Sequence, residues 1–86
     1  MKNEIKSYIK KIVAENHSNL LISEHEYIFN SGMNPIKELD FKIYVIEPEE
    51  VKKLINLITN FKNKTWKNST LTIAYTEPYI FLSFTE

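Results

Sequence analysis

The segment 70–86, TLTIAYTEPYIFLSFTE, constrains the fold more than any other part of the chain. Apolar and polar residues alternate on both sides of Glu77-Pro78, which is typical of two antiparallel strands joined by a turn. Because a slip of one residue would turn a strand's apolar side chains to the wrong face, the alternation also fixes the register. The sequence predicts strands 70–76 and 79–85, with core-face pairs Leu71–Phe84, Ile73–Leu82 and Tyr75–Ile80.

The sequence does not determine the length of the turn in this hairpin. A loop of two residues puts Pro78 at the third turn position, which favours a cis peptide bond before it. A loop of four residues makes no such demand, and both lengths keep the same register.

Two other segments have the periodicity of amphipathic helices. Residues 2–15 place apolar side chains at intervals of three and four, with lysines on the opposite side. Residues 48–64 begin with Pro48, which suits the first turn of a helix, and the acids that follow favour its positive end. The stripes expected to be buried are Ile5, Tyr8, Ile9, Ile12 and Val13 in the first helix and Val51, Leu54, Ile55, Ile58 and Phe61 in the second.

Two further strands are predicted between the helices. Residues 41–47 alternate between two largely apolar faces, as expected of a central strand. Residues 20–29 are strand-like with a polar middle, so they form either one edge strand or two short strands. The only glycine and a proline mark residues 30–35 as a loop.

These elements predict a single α+β domain over residues 1–86. The expected architecture is a two-layer sandwich with two helices on a four-stranded, mainly antiparallel sheet, in the order α-β-β-α-β-β. If the most apolar strands are central and connections are short, the sheet order is 70–76, 79–85, 41–47, 20–29. This order resembles a circularly permuted ferredoxin-like sandwich. The resemblance is one of topology and implies no function.

The sheet face opposite the predicted helix-covered face carries more apolar side chains than a solvated surface needs. Tyr and Phe are favoured at interfaces, so we predict that this second face binds a protein partner. One alternative is that helix 2–15 crosses to this face and makes a three-layer domain. Another is that the rings stack on the bases of single-stranded nucleic acid. The predicted binding residues are Tyr44, Ile46, Tyr79 and Phe81, with Lys42.

The charged residues argue against nucleic acid as the main partner. All eleven cations are lysines, so the planar guanidinium group that suits phosphate and guanine is absent. The net charge is zero, and the acids are concentrated in residues 15–50. Abundant Ile, Lys and Asn with one Gly indicate AT-rich codons and a low-GC genome, so the lack of Arg partly reflects mutational bias.

One basic and aromatic cluster follows the second helix, in the segment FKNKTWKN. It offers a candidate anion-binding site in which Trp66 would stack on the ligand. The other interpretation is that the lysines stabilise the C-terminus of the helix while Trp66 closes the end of the core. The residues of this cluster are Lys62, Lys64, Trp66 and Lys67.

Groups suited to catalysis or metal binding are few. His17 and His25 are the only imidazoles, and along a strand Glu24 and Glu26 would face away from His25. Nothing in the sequence places Asp40, the sole Asp, beside a serine and a histidine. With no cysteine and a single glycine, we predict no enzymatic activity, no cofactor and no metal site.

A further acidic group, Glu47, Glu49 and Glu50, surrounds Pro48 at the start of the second helix. Three neighbouring carboxylates invite comparison with a catalytic pair. Because acids are favourable at the positive end of a helix dipole, we interpret them as helix-start residues instead.

The sequence as a whole predicts a small non-enzymatic protein-binding module that occludes its partner through the second face and an open strand edge. An inhibitor or accessory protein from a phage or mobile element of a low-GC host fits such a chain. The alternatives are a single-stranded nucleic-acid-binding domain and a homodimeric accessory or small-ligand-binding domain. Without cysteine or a long apolar run, the expected location is the cytoplasm, with no membrane contact.

Overall fold

The computed structural model describes residues 2–15, 19–32 and 34–85. All strand pairs in the sheet are antiparallel, and the strand order is β1-β2-β4-β3. The α+β class, the order of elements and the order of strands agree with the sequence prediction. The elements are α1 (Lys2–Ala14), β1 (Asn19–Ser31), β2 (Asn34–Val45), α2 (Pro48–Thr65), β3 (Thr70–Thr76) and β4 (Tyr79–Thr85).

Both helices pack on the same face of the sheet, and the core lies between them and that face. The rings of Tyr8 and Phe61 stack with 3.9 Å between their centroids and join α1 to α2. Because α1 contributes to this core, it does not cover the second face. None of the described helices is long and apolar enough to cross a bilayer. The core residues include Ile5, Ile9, Ile12, Leu39, Phe41, Ile43, Leu54, Ile58, Ile80, Leu82 and Phe84.

The hairpin of β3 and β4 has the predicted register throughout. Its loop consists of Glu77 and Pro78, joined by a cis peptide bond. The carbonyl of Pro78 accepts a hydrogen bond of 2.8 Å from the N–H of Val45, which attaches the turn to β2. Tyr75 lies on the core face opposite Ile80, as predicted, but it is 40% exposed because it lies near the end of the outer strand β3.

The two strands between the helices are longer than the sequence predicts. β2 begins at Asn34 rather than at residue 41, and β1 continues to Ser31, so most of the predicted loop 30–35 is strand. Pro35 is tolerated because β2 gains β4 as its second neighbour only from Glu38 onward. Gly32 has a φ of 65°, the left-handed conformation that suits a tight hairpin turn.

β1 is one continuous outer strand rather than two short strands. Its register shifts between Leu21 and Ser23, which marks a β-bulge. The acids of its polar middle lie on the helix side, where the ammonium of Lys6 contacts the carboxylates of both Glu24 and Glu26 at 3.5 and 3.3 Å. A second cation, Lys10, contacts Glu24 at 3.4 Å. His25 pairs with Asp40 on the opposite face, as the strand periodicity predicts.

The connection from β2 to α2 corrects the predicted position of one residue of the second face. β2 ends at Val45, so Ile46 lies in a bend beyond the sheet and is 61% exposed. The chain leaves the strand here because the next helix begins at Pro48. Glu47 is the N-cap residue, and Glu49 and Glu50 occupy the first turn, which confirms their interpretation as helix-start residues.

Candidate functional site

The second face of the sheet is the face turned away from both helices, and it presents four rows of side chains. Successive residues of a strand point to opposite faces, so the register of the three strand pairs determines which residues share a row. Listed from β1 across to β3, the rows are Leu20, Tyr44, Tyr79 and Thr76; Ser23, Lys42, Phe81 and Ala74; His25, Asp40, Ser83 and Thr72; and Tyr27, Glu38, Thr85 and Thr70.

The first two rows hold an aromatic cluster, which consists of Tyr44, Tyr79 and Phe81. Ring centroids are 5.6 Å apart for Tyr44 and Tyr79, and 6.3 Å apart for Tyr79 and Phe81. The ammonium of Lys42 lies 4.3 Å from the ring centroid of Tyr79 and 5.6 Å from that of Phe81. These distances are within the range of cation–π attraction. The structure therefore brings together four of the five predicted residues, with Ile46 as the exception.

The third and fourth rows of the second face are acidic. Glu38 and Asp40 are successive residues on this face of β2. One oxygen of Asp40, Oδ1, is buried and has no hydrogen-bond partner among the residues that the structure describes. Burial and the neighbouring Asp40, through a hydrogen bond and its charge, raise the pKa of Glu38, while hydrogen bonds with Ser83 and Thr85 act in the opposite direction. The second face thus has an aromatic end with a cation and a polar end with two acids.

A small cavity lies where the two ends meet. It is open to solvent and has a volume of about 160 Å³. Sites for small molecules and cofactors usually enclose about 300–1,000 Å³. The cavity is therefore large enough for one side chain of a partner, but small for a cofactor. Its lining includes Asp40, Thr72, Ala74, Phe81 and Ser83.

The third row contains a serine, a histidine and an aspartate, the residue types of a hydrolytic triad. In a triad the imidazole stands between the serine hydroxyl and the carboxylate. Here Asp40 on β2 lies between His25 on β1 and Ser83 on β4, so the order is wrong for that mechanism. The described residues also contain no group of three or more potential His, Cys, Asp or Glu metal ligands. His17 lies outside the described residues.

The predicted anion-binding cluster does not form a site around Trp66. This side chain is only 4% exposed, and its ring stacks on that of Phe84 at 6.1 Å between centroids. The backbone N–H of Trp66 donates to the carbonyl of Lys62 at 2.8 Å, and the backbone carbonyl of Trp66 accepts a hydrogen bond from the hydroxyl of Ser69 at 2.8 Å. A buried ring cannot stack on a ligand, so the stacking role predicted for Trp66 is wrong, while anion binding by the lysines alone stays a prediction. The interpretation that Trp66 closes the end of the core is confirmed.

The structure adds residues that the sequence prediction missed. Besides the two acids, a second line of rings runs along β1: His25 and Tyr27 are 6.1 Å apart, and Tyr27 and Phe29 are 6.0 Å apart. They were missed because neither the start of β2 nor its register with β1 was predicted. The signal for a longer β2 is the alternation in ELDF, residues 38–41, but the nearby glycine and proline favour a loop.

Comparison with known proteins gives no match: no family model, no curated protein and no solved structure is significantly similar to this chain.

Proposed function

We propose that this protein is a non-enzymatic binding module that occludes a partner protein with the second face of its sheet. The supporting observation is the aromatic cluster, which stands with Lys42 on the face that neither helix covers. Phe81 is 39% exposed although it belongs to a central strand, β4. Clustered rings on an uncovered sheet face are a recurrent feature of protein interfaces.

The dimensions of the second face suit a protein contact. Strands lie about 4.8 Å apart and rise about 3.4 Å per residue, so four strands of seven residues span about 19 by 24 Å. This is roughly 450 Å² in projection before the relief of the side chains is counted, comparable with one side of a small or transient interface. The cavity beside Phe81 would receive one side chain of the partner.

Nucleic acid fits this surface less well. The planes of Tyr44 and Tyr79 are inclined by 67°, so the two rings do not form a flat platform for successive bases. Lys42, the one lysine in the four described rows of the second face, is already directed over the aromatic rings. Glu38 and Asp40 would repel phosphates, whereas binding to a phosphate backbone needs several free cations.

An inhibitor or accessory role follows from this mode of binding, because a module that only covers a surface can block the partner or present it. The abundance of Ile, Lys and Asn supports a low-GC host, and a small domain with few groups suited to catalysis suits a phage or mobile element of such a host. The absence of cysteine supports a site of action in the reducing cytoplasm.

The proposal is tested by capturing partners from a low-GC bacterial lysate with the tagged wild-type chain and two variants. Phe81→Ala removes a ring from the second face. Tyr75→Ala is the matched control, since its ring is equally exposed and lies on the same hairpin but on the other face. Truncating an aromatic anchor commonly weakens binding by about 2–4 kcal/mol. We therefore expect Phe81→Ala to lose the partner and Tyr75→Ala to retain it.

Two outcomes would contradict this function. Equal recovery of every captured protein with Phe81→Ala and with Tyr75→Ala would show that the second face is not the binding surface. Loss of the captured complex on nuclease treatment, with steep dependence on salt, would identify single-stranded nucleic acid as the partner instead.

A further inference from the structure

The outer strand β1 carries an excess of exposed apolar side chains. At thirteen residues it is about twice the usual strand length. Nine large apolar residues are exposed in the described part of the chain, and five of them lie on β1. A long apolar edge is a template for pairing with another strand. The five residues are Leu20, Ile22, Tyr27, Ile28 and Phe29.

The first half of β1 is protected against such pairing. The bulge between Leu21 and Ser23 interrupts the strand, and bulges are a common protection of sheet edges. On the helix side, α1 stands over Glu24 and Glu26 through the lysine contacts at 3.3–3.5 Å. An incoming strand therefore finds its free template in the second half of β1, from His25 onward.

The second half of β1 forms an arm that projects from the sheet. The last pair between β2 and β4 is Glu38 with Thr85, and Glu38 lies opposite Tyr27 on β1. Beyond this row only β1 and β2 remain paired, and a two-stranded ribbon is marginally stable in water. Ile28 is 62% exposed and Phe29 is 49% exposed there. A third strand would cover these side chains and stabilise the arm.

We propose that the third strand is β1 of a second copy of this chain, paired antiparallel with Ile28 opposite its own counterpart. In this register Tyr27 lies opposite Phe29 of the second copy, and Phe29 lies opposite its Tyr27. Both rings belong to the second face, so the pairs are aromatic on one face and aliphatic on the other. Aromatic and β-branched cross-strand pairs are among the stabilising pairs of antiparallel sheets.

Repulsion between glutamates excludes the main competing register of the two β1 strands. Centring the pair on His25 would set Glu24 of each copy opposite Glu26 of the other, and like charges directly opposite each other destabilise a sheet. Centring it on Ile28 moves Glu26 away from any acid of the second strand. Since α1 stands over Glu24 and Glu26, the two-fold rotation also carries the two helices to opposite sides of the axis.

The interface is closed and symmetric. Residues 25–31 of the two copies would form seven residue pairs, with about six to eight main-chain hydrogen bonds in an antiparallel ladder. The two four-stranded sheets would join into one of eight strands, and both second faces would lie on the same side. An isologous contact of this kind stops at the dimer.

Sedimentation velocity of the full chain tests the register with charged variants. We expect the wild type to sediment as a dimer at concentrations where Ile28→Lys is a monomer, because two ammonium groups would then face each other across the axis. Ile28 is mostly exposed in the single chain, so the variant should keep the wild-type circular dichroism. Ile22→Lys, at the bulge of the same strand, is the control and should remain dimeric.

Mixing Ile28→Lys with Ile28→Glu should restore a dimer at least tenfold tighter than either variant forms alone, since only the Ile28-centred register places these side chains together. A monomeric wild type would overturn the proposal, and so would equal dissociation by Ile28→Lys and Ile22→Lys or a mixture that stays monomeric. None of these results bears on partner capture through Phe81, so the two proposals fail separately.

Discussion

Glu38 shows how a single residue of the second face departs from an ordinary surface acid. It stands beside Asp40 on β2, and burial, followed by the hydrogen bond and charge of Asp40, raises its pKa above 4.5. A carboxyl group with a higher pKa in the folded state binds its proton more tightly there than in the unfolded chain. Its ionised form therefore destabilises the fold at pH values above that raised pKa.

Replacing this charge gives a prediction with a definite sign. Glu38→Gln should increase the free energy of unfolding at neutral pH, and the gain should shrink as the pH falls toward 4.5, where the wild-type carboxyl also becomes neutral. Urea unfolding across this pH range measures the difference. Glu77→Gln, in the exposed turn of the other hairpin, is the control. A loss of stability at neutral pH in Glu38→Gln would contradict the assigned direction.

At the scale of elements, the local sequence pattern predicts the structure of some segments but not of others. The hairpin of β3 and β4 and the helix α2 are predictable because alternation, helical periodicity and Pro48 all agree with the final structure. The hairpin of β1 and β2 is not predictable from local pattern, because its turn lies among polar residues and its strands extend past the rest of the sheet. The acids in the middle of β1 are explained only by tertiary structure, because they form ion pairs with Lys6 and Lys10 of α1.

The turn of that longer hairpin offers a test of backbone conformation. Gly32 has a φ of 65°, and a Cβ placed there would meet no atom within 4 Å, so substitution changes only the conformational preference. Gly32→Ala should weaken the arm by about 1–2 kcal/mol. Native-state hydrogen exchange should then show a loss of protection of about 5–30-fold in the amides of the arm.

Gly32→Asn is the matched substitution, because Asn tolerates the left-handed conformation better than Ala. Gly32→Asn should keep most of the hydrogen-exchange protection of the arm amides. Equal losses for Ala and Asn would mean that the left-handed backbone of Gly32 does not hold the turn.

At the scale of the whole molecule, a few general rules predict the strand order, but they predict the proposed binding surface only in part. Placing the most apolar strands at the centre gave the correct sheet, and alternation then placed Tyr44, Tyr79 and Phe81 on its second face. The acidic rows, the ring line of β1 and the projecting arm all depend on pairing between residues distant in sequence. The arm also contributes to an elongated shape, with extents of 43 × 23 × 17 Å.

We propose that the second face is free for a partner, whereas the helix-covered face makes the core. Phe81 and Phe84 lie on the same strand and point to opposite faces. Replacing each phenylalanine by alanine therefore tests the two faces of the sheet with the same substitution. Phe84 is fully buried and contacts the rings of Phe41 and Trp66. Its loss should leave a cavity and destabilise the fold by about 3–5 kcal/mol. Phe81 is 39% exposed, so its truncation leaves no closed cavity.

Urea unfolding of Phe81→Ala and Phe84→Ala measures this difference directly. We expect Phe84→Ala to lose about 3–5 kcal/mol and Phe81→Ala to lose about 1 kcal/mol. Equal, large losses for the two variants would show that the second face is packed inside the domain, and they would contradict its assignment as a binding surface.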